Sequence, residues 1–287
     1  MIYTINSDIL TVQVNSIGAE VISVKNNGGK EFLWQADERY WGSHAPILFP
    51  ICGRLLNAEY SYKKKNYGLP LPGFAHSTEF SISHVSTSEI TLVLRSNAET
   101  LSMYPFDFEL SVKLSVIENT LKMNVSVKNE SNETMPYMIG WHPGFVIDGI
   151  IDDYSISFKN GQRAVRHNVN ERLFLDAHGV DFPLENGIFL PTEKEIYKVD
   201  TVILTSVGSE VALSRNGTDK IRMSQSDNLP YYAIWKAPHS EAEYICIEPW
   251  SDIPADGSAP ECFEDRKMSR LTANASENYF FSVEFID

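Results

Sequence analysis

The chain has 287 residues, 43% hydrophobic and 11% aromatic, which is enough for a substantial core and too apolar for disorder. Its formal charge of −14 argues against nucleic acid or an anionic membrane surface as a partner, because both call for dense Lys and Arg. No apolar run approaches the roughly 20 residues of a membrane span, and Met1-Ile2-Tyr3-Thr4-Ile5-Asn6 carries no basic stretch ahead of an apolar one, so a soluble cytoplasmic protein is expected.

Alternation with period two dominates the predicted elements. Strands are predicted over 9–14 and 20–25, followed by a turn at Asn26-Asn27-Gly28-Gly29. Lys63-Lys64-Lys65, set between tyrosines, reads as a solvated hairpin tip. Strands over 80–85 and 90–95 come next. In 108–116 apolar Phe108, Leu110, Val112, Leu114 and Val116 alternate with polar residues; 121–127 repeats the pattern after Glu118-Asn119-Thr120. The two runs predict an antiparallel hairpin with one buried face. Further strands are predicted over 154–158, 201–205, 211–214, 220–224, 231–236, 244–247 and 280–285, with turns at Asn160-Gly161, Asn186-Gly187 and Asn216-Gly217. Many short strands, frequent turns and no long amphipathic helix indicate an all-β sandwich or barrel. No linker or composition shift divides the chain, so 1–287 is expected to be one domain. Long irregular stretches lie at 35–58, 139–153, 166–200 and 248–268, and loops of that size in a compact domain are usually functional or disordered.

The chemistry concentrates in two of these stretches. Ile139-Gly140-Trp141-His142-Pro143-Gly144-Phe145 and Cys246-Ile247-Glu248-Pro249-Trp250 set an imidazole and a carboxylate beside large aromatic rings, each before a proline. Proline pushes its predecessor toward extended backbone, which predicts both side chains at strand ends or in loops. An acid and a base flanked by indoles suit proton transfer on a ligand with hydroxyls and apolar faces, a description that fits a sugar. Zinc-protease, phosphate-loop, dinucleotide and serine-elbow motifs are absent, the seven histidines are scattered, and Cys52, Cys246 and Cys262 lack metal or redox spacing. No cofactor or metal is expected.

These residues, with Ile17-Gly18-Ala19-Glu20-Val21, Phe32-Leu33-Trp34, the segment 45–55 and Tyr104-Pro105-Phe106-Asp107-Phe108, resemble the aldose 1-epimerases (galactose mutarotases), in particular their LacX-like branch. The resemblance covers nearly the whole chain. It implies a large antiparallel β supersandwich of the galactose mutarotase type with few short helices. It also implies interconversion of the α and β anomers of an aldose of the glucose or galactose type, with Glu248 as base and His142 as acid. Unperturbed values of about 4.3 and about 6.5 make a carboxylate base reasonable and an imidazolium acid attainable with a modest upward shift. The two groups are expected several ångströms apart, on opposite sides of a bound pyranose. By the same resemblance Arg54, His76 and Asp200 are candidate sugar contacts; Trp141 and Trp250 are candidate stacking surfaces because of their neighbours His142 and Glu248.

The chain departs from the family at Pro72-Gly73-Phe74-Ala75-His76, where relatives carry His-Gly-Phe-Ala-Arg. Pro72 stands where a substrate-binding histidine is usual, and His76 stands where an arginine is. Four extended residues span about 13 Å, so His76 takes the arginine's place and not the histidine's. The Pro72 change permits a non-catalytic sugar-binding or sensing protein. A hexose-6-phosphate 1-epimerase is a further reading, which the arginine missing at position 76 disfavours, and a glycosidase on a β sandwich would need a second carboxylate. Monomer and homodimer are both compatible with the sequence.

Overall fold

The structure, a computed structural model, describes residues 1–176, 179–192, 201–238 and 241–287. Strands make up 49% and helix 8%, in antiparallel sheets that form the expected mostly-β fold. The alternating runs become the hairpin Phe108–Ile117 and Thr120–Asn129, closed where Ile117 faces Thr120. Phe108, Leu110, Val112 and Leu114 are fully buried while Lys113 between them is exposed, as a half-wetted sheet requires.

This hairpin is central to a nine-stranded antiparallel sheet. Its order is Ile188–Phe189, Tyr154–Phe158, Glu210–Arg215, Thr218–Gln225, Ser276–Phe285, Thr120–Asn129, Phe108–Ile117, Glu89–Arg95 and Ser81–Val85. A second, eight-stranded sheet runs Val180–Asp181, Val165–Asn168, Thr201–Thr205, Tyr231–Trp235, Tyr244–Trp250, Gly140–Trp141 and Ile47–Leu48, with Gly144–Val146 also paired to Tyr244–Trp250. Ring contacts join the two sheets: Trp141 meets Phe281 at 5.7 Å and Phe158 meets Tyr232 at 5.3 Å between centroids. One hydrophobic cluster extends from Ile5 to Phe285.

The predicted strands recur within a few residues of their expected bounds. Ile2–Asn6 was not anticipated, nor were the pieces Ile47–Leu48, Gly140–Trp141 and Gly144–Val146, whose two or three residues cannot display an alternation. Lys63 and Lys64 take positive φ and turn the hairpin Glu59–Tyr62 and Lys65–Gly68 at its tip. Among the described residues no helix is long and apolar enough to cross a membrane.

Candidate active site

One face of the eight-stranded sheet is the floor of the site. Side chains alternate across a strand, so pairing register decides which residues share a face. Glu248 pairs with Ala233 and Ala233 with Ile203; Trp250 pairs with Gly140 and Gly140 with Leu48; Trp235 pairs with Thr201. Leu48, Thr201, Ile203, Trp235, Glu248 and Trp250 accordingly line one cavity of about 420 Å³, within the usual range of small-molecule sites. The intervening residues, among them Val202, Ile234, Ile245 and Ile247, are buried on the opposite face.

His142 completes this floor. Gly140 faces Trp250 and Gly144 faces Cys246, and the same register carried through the gap sets His142 opposite Glu248. The gap holds Pro143 on one chain and lies near Pro249 on the other, so the ladder is open where two N–H groups are missing. Glu248 therefore lies inside the strand Tyr244–Trp250, not at its end as proline reasoning suggested, and its side chain is only 1% exposed. His142 Nε2 lies 3.3 Å from Glu248 Oε2. Two residues remote in sequence thus converge, but in direct contact, without the wider separation expected for groups flanking a ring.

The imidazole is enclosed by aromatic rings. Trp41 stacks on it at 4.7 Å and 26°, and Trp235 meets it edge-on at 5.5 Å and 80°. The backbone N–H of His142 donates to the Pro46 carbonyl at 3.0 Å. Burial lowers the His142 pKa from the ordinary histidine range to about 3, the reverse of the upward shift expected from sequence. The adjacent carboxylate favours the protonated ring and acts against this effect. Buried in this way, the ring is neutral at pH 7.

The walls come from all four irregular stretches: Trp41, Ser43 and Arg54 from the first, His142 from the second, Val169 and Leu173 from the third, and Pro254 from the fourth. Leu71, Pro72 and His76 add a further wall, His76 from the short turn Ala75–Ser77. Burial lowers the His76 pKa, with Glu20 acting against it. Arg54, His76 and Trp250 thus line the same cavity as His142 and Glu248. Trp141 does not. It is 1% exposed, donates its indole N–H to the Ala45 carbonyl at 2.9 Å and packs on Phe281. Sitting one residue before His142, it points to the opposite face, into the core between the sheets. Asp200 lies outside the described residues. Trp41 and Trp235, which the sequence does not single out, are cavity residues; only the strand register and the fold of the 35–46 segment expose that role.

His142, Cys246 and Glu248 each offer a donor atom within 4.8 Å of the others, the one such group among the described residues. Burial and the Glu248 charge keep the Cys246 thiol protonated. His142 Nδ1 has no hydrogen-bond partner, whereas metal-bound imidazoles are ordinarily oriented through that second nitrogen. The trio is better suited to moving protons than to holding an ion.

A sequence profile described as aldose 1-epimerase matches residues 1–255. The plasmid-borne protein LacX of Lactococcus lactis subsp. lactis is 31% identical over 278 residues, covering 93% of each chain. A galactose mutarotase related enzyme from Lactobacillus acidophilus superposes with a TM-score of 0.92 at 32% identity, over 100% of this chain and 98% of that one. A galactose mutarotase-like protein from Lactobacillus casei gives a TM-score of 0.93 at 27% identity, over the full length of both.

Proposed function

The chain belongs to the aldose 1-epimerase family, and from that premise we propose that it interconverts the α and β anomers of a free hexose of the glucose or galactose type. The observation that carries the reading is the His142–Glu248 contact at 3.3 Å on the floor of an indole-lined cavity. O1 and the ring oxygen of a pyranose share one carbon, so two proton-handling groups in contact can reach both from one side of the sugar.

Glu248 accepts the proton of O1 while His142 delivers one to the ring oxygen. The C1–O bond to the ring opens, C1 turns about its bond to C2, and reclosure reverses both transfers. The step starts from an imidazolium beside the Glu248 carboxylate, a form that the 3.3 Å contact favours against the burial of the ring; ring opening leaves the imidazole neutral and Glu248 protonated. Because acid and base exchange roles on reclosure, the pair returns to its starting state each turnover. Arg54 and His76 supply donors for the remaining hydroxyls, and the faces of Trp41 and Trp235 supply apolar surface for the sugar C–H groups.

Glu248→Gln is expected to lower the rate of anomer equilibration by about 10²–10⁴-fold, read by polarimetry of freshly dissolved α-glucose and α-galactose. Equilibration at the parental rate would show that the base is elsewhere. A parent that does not exceed buffer would favour a sugar-binding protein without turnover.

One feature favours a phosphorylated hexose as a second reading. A neighbouring cleft shares Arg54 and Leu71 with the cavity and adds Arg172; among the described residues neither guanidinium has a carboxylate partner. Glu171 in the same cleft opposes an anion there. A preference for glucose 6-phosphate over glucose that fades with added salt would select this reading.

A further inference from the structure

The motif Ile17-Gly18-Ala19-Glu20-Val21 lies outside the cavity, yet it holds two of the segments that build it. Glu20 begins the strand Glu20–Asn26, and its Oε1 accepts the backbone N–H of His44 at 2.8 Å and of Ala45 at 3.0 Å. The carbonyls of the same segment bond to the 141–144 stretch that carries His142. His44 O accepts the N–H of Gly144 at 2.9 Å, Ala45 O accepts the indole N–H of Trp141 at 2.9 Å, and Pro46 O accepts the N–H of His142 at 3.0 Å. One carboxylate oxygen is thus linked, through consecutive peptide units, to His142, to Trp141 before it and to Gly144 two residues after it. Gly18 secures the other segment: its N–H donates to Thr78 O at 2.8 Å, and a Cβ on it would come within 2.5 Å of the His76 carbonyl oxygen.

The carboxylate is suited to this task. Its side chain is 14% exposed. Burial alone would raise its pKa, but the bonds from His44 and Ala45 outweigh that and hold it below the usual range, so it remains an acceptor at neutral pH. Glu31 provides an internal comparison. Its Oε1 accepts the N–H groups of Val24, Phe32 and Leu33, and its Oε2 the Ser23 hydroxyl, at 2.6 to 3.1 Å. The same device there serves the 23–33 segment and does not reach the peptide units bonded to His142.

We propose that Glu20 is a positioning residue for the His142 imidazole, acting through the 44–46 peptide units. Its activity arm rests on the mutarotase reading. A small displacement of a proton-transfer group is costly, so Glu20→Ala should lower kcat about tenfold with KM changed less than about twofold. Glu20→Gln keeps an acceptor oxygen and should recover most of the loss. Glu31→Ala should lower the melting temperature and leave kcat within about twofold of the parent. In parallel, imidazole resonances of ¹⁵N-histidine-labelled protein should show His142 shifted in Glu20→Ala and near its parental position in Glu20→Gln. That readout holds whether or not the parent turns over sugar, and so separates failure of this proposal from failure of the mutarotase reading. An unshifted His142, a Gln variant as impaired as Ala, or a Glu31→Ala variant with an equal loss of kcat would overturn it.

Discussion

His142 illustrates how one residue's chemistry is set by what covers it. A histidine in water titrates near neutrality; this one, under Trp41 and against Trp235, has its pKa lowered by burial to about 3. Opening that cover should return it toward the ordinary value. Trp41→Leu removes the stacked ring and admits water, so the His142 titration followed by NMR should move to higher pH. An unchanged or lower midpoint would mean that something other than the indole sets the ring's environment. Residue identity was legible in the sequence here: His142, Glu248, Arg54, His76 and Trp250 were singled out, and all five line the cavity. Orientation was not. Trp141 and Trp250 read alike as aromatic neighbours of a proton-handling residue. They differ because Trp141 is one step from His142 along a strand and Trp250 two steps from Glu248, which places them on opposite faces.

The strand Tyr244–Trp250 and its partner Gly140–Trp141 show why the glycine in Ile139-Gly140-Trp141-His142 matters. A Cβ on Gly140 would approach Trp250 Cδ1 to 2.7 Å, Cys52 Sγ to 3.0 Å and Leu48 Cδ1 to 3.2 Å. Gly140→Ala is therefore an overpacking change and should cost about 1–3 kcal/mol in urea unfolding. Because Trp250 lies beside Glu248 on the same face of its strand, the variant should, on the mutarotase reading, also lose anomer interconversion per folded molecule. Full stability with full activity would mean the indole moves aside freely. The long strands were readable because their alternation persists over many residues. The pieces that bring His142 to Glu248 are two or three residues long, and the pairing between positions some hundred residues apart has no local signature.

Across the whole molecule, buried ionisable groups make stability depend on pH in a definite direction. His142, His76 and His167 all have folded-state pKa values lowered by burial. Below about pH 6.5 the unfolded chain takes up protons at these rings and the folded chain does not, so their contribution is intact above that pH and is lost as pH falls toward 3. The lowered Glu20 carboxyl adds to the loss in the acid range. Asp252, raised by burial to about 6, acts the other way between its ordinary 3.8 and that value. With His142, His76 and His167 set against Asp252, the urea midpoint should fall between pH 7 and pH 5, and His142→Gln should reduce the slope. A midpoint that rises on acidification would contradict the burial of these rings.

The same scale explains what the central strand of the site controls. Tyr244–Trp250 is hydrogen-bonded along both edges, to Tyr231–Trp235 on one side and to Gly140–Trp141 and Gly144–Val146 on the other. A slip of a single residue would rotate Glu248 into the greasy layer between the sheets and bring Ile247 to the solvent-filled side. Surrounding loops can therefore diverge, lengthen or be swapped while the carboxylate stays put. One inserted residue within this strand would erase it.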